Sequence, residues 1–78
     1  MENFKMEKSR KLMVEFKKLF GFTAPIDVML TPFVGYYALD IIALDEKLGT
    51  PDGTSTKDYI EQKYGNKAME CVEQWLAI

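Results

Sequence analysis

Histidine is absent from this chain of 78 residues. Its absence removes the commonest general base, the commonest metal ligand and every Ser-His or Cys-His nucleophile. Cysteine occurs once, at Cys71. No intramolecular disulfide can form, and a thiolate metal site would need more ligands of its kind. A lone thiol fits a reducing compartment, so a cytoplasmic location is expected. No uninterrupted apolar run approaches the ~20 residues of a membrane-spanning helix. The first residues mix Lys with Glu and carry no apolar signal-peptide core. A glycine-rich phosphate loop is also missing. Asp52, Thr54, Thr56 and Asp58 alternate like the opening of a calcium loop. However, the glycine falls at the wrong place, and Lys63 stands where the terminal glutamate belongs. These absences exclude the usual catalytic constellations, and the sequence predicts no catalytic residue, no cofactor and no metal.

What the chain does have is apolar content, at 47% with 13% aromatic residues, ample for a core. Its length sets one domain, residues 1–78. The stretch Thr31–Gly49 looks like the centre of that domain. Thr31 is a good N-cap, Pro32 suits the first helical position, and Gly49 suits a left-handed C-cap. Between them Phe33, Tyr37, Ile41, Leu44 and Leu48 form one broad apolar face. Val34, Ala38 and Ile42 extend it, and only Tyr36, Asp40, Ala43 and Lys47 are left for water. The spacing predicts an interior helix over residues 32–48. Gly35 and Ala38 would then mark close packing against another helix, because a glycine inside a helix costs roughly 1 kcal/mol and needs a reason. Asp40 is assigned to the wet stripe beside Lys47.

Residues 3–20 read as an amphipathic helix with Leu12, Met13, Phe16, Leu19 and Phe20 inward and Gly21 as its C-cap. The pattern weakens before Ser9, where Lys5 and Lys8 fall on or beside the apolar face. The first eight or so residues are therefore expected to fray or to project beyond the core. Phe22–Leu30 is read as a short helical turn entered through Pro25, with an extended connector as the alternative. Thr50–Gly53 is a turn. Ser55 caps a helix that turns Tyr59, Ile60 and Tyr64 inward and ends at Gly65. Asn66 opens the last helix, whose face is Ala68, Met69, Val72, Trp75 and Leu76, with Cys71 beside it as a small buried hydrophobe. No segment alternates as a strand should, so the expected fold is all-α, a small bundle of three to four helices around residues 32–48.

Two helical families offer templates. In size and acidity the chain is similar to the phosphopantetheine carrier proteins. Their modified serine follows an aspartate and precedes a leucine, whereas Ser55 follows Thr54 and precedes Thr56 and Lys57. Ser55–Leu76 resembles a DNA-binding helix-turn-helix in having two helices about a glycine. Yet Glu61 stands where such motifs want a small residue, and Glu70 and Glu73 on the second helix would repel phosphates. An ordinary helical hairpin is the better reading.

Charge is unevenly placed. Residues 1–20 carry six basic and three acidic side chains, and residues 21–78 carry four basic and nine acidic ones. Phe4 and Met6 beside Lys5, Lys8, Arg10 and Lys11 make the N-terminal turns the candidate partner surface. The expected function is a non-enzymatic protein-interaction or regulatory module, with a homodimer as one form of it. The alternative is a nucleic-acid-associated regulator that uses Lys5, Lys8, Arg10, Lys11, Lys17 and Lys18 as phosphate contacts. A weaker third reading, a carrier of a small apolar ligand, rests on Met and aromatic content alone.

Overall fold

The fold comes from a computed structural model that describes residues 4–32 and 35–78. Helix α1 (Phe4–Phe20) is followed by strands β1 (Ile26–Leu30) and β2 (Gly35–Leu39). Helices α2 (Ile41–Leu48), α3 (Thr56–Tyr64) and α4 (Asn66–Leu76) complete the chain. The two strands pair antiparallel, from Ile26 opposite Leu39 to Leu30 opposite Gly35. The molecule is therefore mixed α and β, and the all-α expectation is corrected.

The correction falls on the expected central helix. Its first half is β2 and its second half is α2. Thr31 and Pro32 belong to the connection between the strands, and the helical roles given to Phe33 and Val34 lie outside the described residues. The true helix start is Asp40, whose Oδ1 accepts the Ala43 N–H at 3.0 Å. Asp40 is thus a half-buried N-cap and not part of a wet helical stripe. Gly35 and Ala38 lie in β2, so they do not mark a contact between two helices. The physical reason lies in Ile26–Leu30, whose β-branched and long apolar residues supply a partner strand across the connection. Gly35-Tyr36-Tyr37 then does better as a ladder than as a helix with glycine in its first turn. The end of α2 is as expected, with Gly49 in the left-handed region at φ 66°.

The other helices keep the expected faces. On α1, Leu12, Phe16 and Phe20 are buried, and Met13 and Leu19 pack partly buried beside them. Ile60 of α3 and Ala68, Val72 and Trp75 of α4 complete the core with Leu39, Leu44 and Leu48. Leu76, expected inward, is exposed. Phe16 and Phe20 stack at 3.9 Å between ring centroids, and Trp75 meets Phe16 edge-on at 6.1 Å. Phe22, leading out of α1, closes the cluster edge-on against both phenylalanines. The segment read as a short helical turn is instead this connector and β1. Ser55 caps α3 by accepting the Asp58 N–H at 3.1 Å.

Candidate functional site

The N-terminal turns carry the expected partner surface. Helix α1 is continuous from Phe4. Phe4 is 73% exposed, and Lys5, Lys8, Arg10 and Lys11 are exposed too. Met6 is half-buried, its methyl end lying beside Gly35. The Lys5 ammonium sits 5.3 Å from the centre of the Tyr36 ring. Lys11 pairs with Glu7 at 3.6 Å, one turn back on the same helix. Phe4, Glu7, Lys8 and Lys11 line a shallow hollow of about 130 Å³. At about 100° per residue the six cations of α1 spread over more than half the circumference and form no single stripe.

Chemically the chain offers little. Among the described residues no group of three or more His, Cys, Asp or Glu side chains is placed to hold a metal ion. Cys71 is buried, and its Sγ donates to the Leu12 carbonyl at 3.7 Å. Burial, with the Glu15 charge adding to it, pushes the thiol up to about 11. Such a thiol is neutral and unreactive at ordinary pH. Asp45 is held below the usual carboxylate range by the hydroxyls of Thr50 and Thr56. Thr56 donates to it at 2.8 Å, tying α3 to α2. The Thr50 hydroxyl lies near but completes no hydrogen bond of good geometry.

The more informative feature is the hairpin. A two-stranded sheet has two outer edges, each a row of N–H and C=O groups that need partners. Along β2 the helical body supplies them. Ser9, fully buried, accepts the Tyr37 N–H at 3.1 Å and donates to the Met6 carbonyl at 2.9 Å. Trp75 Nε1 donates to the Tyr37 carbonyl at 2.8 Å. Both backbone groups of Tyr37 therefore point away from β1. Its neighbour across the ladder is Val28, so Val28 points both of its own groups away from β2. The Asp40 N–H, donating to the Pro25 carbonyl at 3.0 Å, fixes the same alternation at the other end. Ile26, Val28 and Leu30 thus present their backbone groups along the free edge of β1.

That edge is also apolar on its surface. Val28, Met29 and Leu30 are all exposed, Leu30 at 78%. Asp27 is the one charged side chain of either strand. No lysine and no proline interrupts Ile26–Leu30, the usual devices that keep an edge from pairing. Neither Ser9, Trp75 nor Val28 was assigned these roles from the sequence. A signal existed for Ser9: it continues the spacing of Leu12, Phe16 and Phe20, and a polar residue at a core position needs a partner.

Two further hollows flank α1. One, of about 560 Å³, is lined by Met13, Val14, Lys17, Lys18, Thr23 and Ala24. The other, of about 410 Å³, lies between α1 and α4 over Cys71. Phe16, Leu44, Ile60 and Val72 fill the interior with no exposure. Among the described residues no helix is long and apolar enough to cross a membrane. No protein-family model matches the chain, and no curated protein and no solved structure matches it.

Proposed function

We propose that this chain is a small non-enzymatic protein-interaction module, and that it works through its hairpin. The observation that carries this reading is the free edge of β1, where three outward-facing residues and the exposed side chains of Val28, Met29 and Leu30 coincide. Strand addition uses such a feature: main-chain bonds give affinity, and alternate side chains give specificity. The expected basic surface at Phe4, Lys5, Met6, Lys8, Arg10 and Lys11 becomes secondary, because Lys5 and Lys11 are engaged within the chain and Met6 is half-buried against the hairpin.

Binding at the hairpin is dominated by backbone and apolar contacts, so its salt dependence is shallow. A nucleic-acid regulator working through the cations of α1 would instead lose affinity steeply as counterions compete. Binding of a labelled DNA or RNA duplex across a salt titration tests this. We expect no salt-sensitive binding above the background of a small acidic protein. Steep salt-dependent binding that is lost on replacing Lys17 and Lys18 would overturn the proposal in favour of the nucleic-acid reading.

A further inference from the structure

Resting on that reading, we propose that the occupant of the β1 edge is the β1 strand of a second copy, paired antiparallel about a two-fold axis at Val28. In this register Val28 faces Val28 of the other copy, and Ile26 faces Leu30. Each of these residues points both backbone groups outward, so about six hydrogen bonds form across the axis. The side chains agree with the pairing. Ile26, Val28 and Leu30 share one face; Val28 and Leu30 are exposed, and Ile26, half-buried against the core, lies opposite Leu30 of the other copy. On the other face Asp27 lies opposite Met29, so the two aspartates do not meet. Like charges directly opposite would destabilise a ladder, and this register has none.

The chain also fixes the register. Pro32 lies two residues beyond Leu30 on the outward-facing parity, and it has no N–H to donate. Slipping the pair toward the connection puts Pro32 opposite Ile26 and loses bonds. Slipping it the other way puts Leu30 opposite Ala24, which is buried and closed to a partner. The free strand is therefore bounded at both ends, and its length matches that of its own copy. An isologous contact of this kind closes as a dimer, and on the outer edge of β2 Ser9 and Trp75 already take both backbone groups of the central residue, Tyr37. The contact is confined to one five-residue strand of each copy, so the dimer is expected to be weak and reversible.

The test is sedimentation of the full chain from low to high micromolar concentration, with backbone amide exchange read in parallel. We expect a reversible dimer that added salt leaves intact. The Ile26, Val28 and Leu30 amides should slow as concentration rises, while the Met29 and Tyr36 amides are protected throughout. Val28→Pro removes only an outward N–H, so the hairpin ladder survives while dimer affinity falls roughly tenfold or more. Should that variant unfold by far-UV circular dichroism, Val28→Lys reads the same edge. A full-length chain that stays monomeric at high micromolar concentration overturns the pairing. So does a dimer that folded Val28→Pro or Val28→Lys leaves unchanged, or one that dissolves in salt. If the chain is monomeric but the Val28 and Leu30 amides become protected in complex with a different host protein, the pairing fails and the interaction module stands. If no protein protects them, both fail.

Discussion

The two edges of the hairpin differ in what the rest of the chain does for them. The outer edge of β2 is closed by side chains from two helices, Ser9 of α1 and Trp75 of α4, both meeting the backbone of one residue, Tyr37. Among the described residues no side chain closes the outer edge of β1 in this way, and Val28, Met29 and Leu30 are among the most exposed apolar groups. A fold can cover a sheet edge without adding a strand, provided core positions are given to polar groups that reach it. Here one serine and one indole do so at the edge facing the core. The same chain leaves the other edge open although a lysine or proline would have blunted it at little cost. Stability therefore depends on the first edge and is nearly indifferent to the second.

Trp75 should give the largest effect. It is 2% exposed, packs edge-on against Phe16 and supplies the bond to the Tyr37 carbonyl. Trp75→Ala should cost about 3–5 kcal/mol in a denaturant melt. Trp75→Phe keeps most of the packing and removes the N–H, so it should cost less, about 1–3 kcal/mol. Equal losses for the two variants would mean that the edge bond and not the packing carries the indole's contribution, and no loss in Trp75→Phe would mean the reverse.

Cys71 probes the seam between α4 and α1 that holds Trp75 and Ser9 in place, because its thiol reaches the Leu12 carbonyl. Its folded pKa of about 11 lies above the ordinary 9.0. The native state therefore keeps its proton where the unfolded chain loses it. This contribution is complete below about pH 9 and is lost as pH rises toward 11, on the order of 1–2 kcal/mol. Chemical denaturation at pH 8 and at pH 10.5 should show the loss, and Cys71→Ala should show a smaller one. Matching slopes for the two proteins would remove Cys71 as the cause.

Ser9→Ala should cost about 1–2 kcal/mol, because it strands the Tyr37 N–H in a partly buried position. The Tyr37 amide should exchange faster in the variant, while the amides of the β1–β2 ladder change little. A neutral result would show that water replaces the hydroxyl and that this edge is less closed than its geometry implies.

These residues also show what the sequence made legible. Helices α1, α3 and α4 were readable because each combines a 3.6-residue apolar period with local boundary signals: Gly21 and Gly65 as ends and Ser55 as a start. The hairpin was not, because its evidence is not local. From Phe33 to Leu39 the run is apolar without a clear period, and periodicity alone does not separate a strand from a buried helix. Thr31-Pro32 resembles a helix start, which hid Asp40, the residue that caps α2. What decides the matter is pairing with Ile26–Leu30 and the reach of Ser9 and Trp75 to Tyr37, contacts spanning up to 38 positions. The site followed the fold: with Gly35–Leu39 read as helix, no sheet edge existed to be exposed.

Gly35 should give the smallest effect, and it probes the end of β2 nearest the connection. Its φ is not among the positive values found at Gly21, Gly49, Gly53 and Gly65, so a side chain meets no backbone strain. A Cβ there would approach the Leu30 Cδ2 at 3.4 Å, the Met29 carbonyl oxygen at 3.6 Å and the Met6 methyl at 3.9 Å. The tightest of these is the tip of a flexible, largely exposed side chain that can turn aside. Against that minor crowding, alanine restricts the unfolded chain more than glycine does, a gain of about 0.4–1 kcal/mol where the native backbone tolerates it. The two nearly offset, and Gly35→Ala should change stability by no more than about 0.5 kcal/mol, on the stabilising side if either. A loss as large as that of Ser9→Ala would mean that the hairpin is clamped along its whole length. Leu30 and Met6 would then be fixed against Gly35 and unable to turn aside.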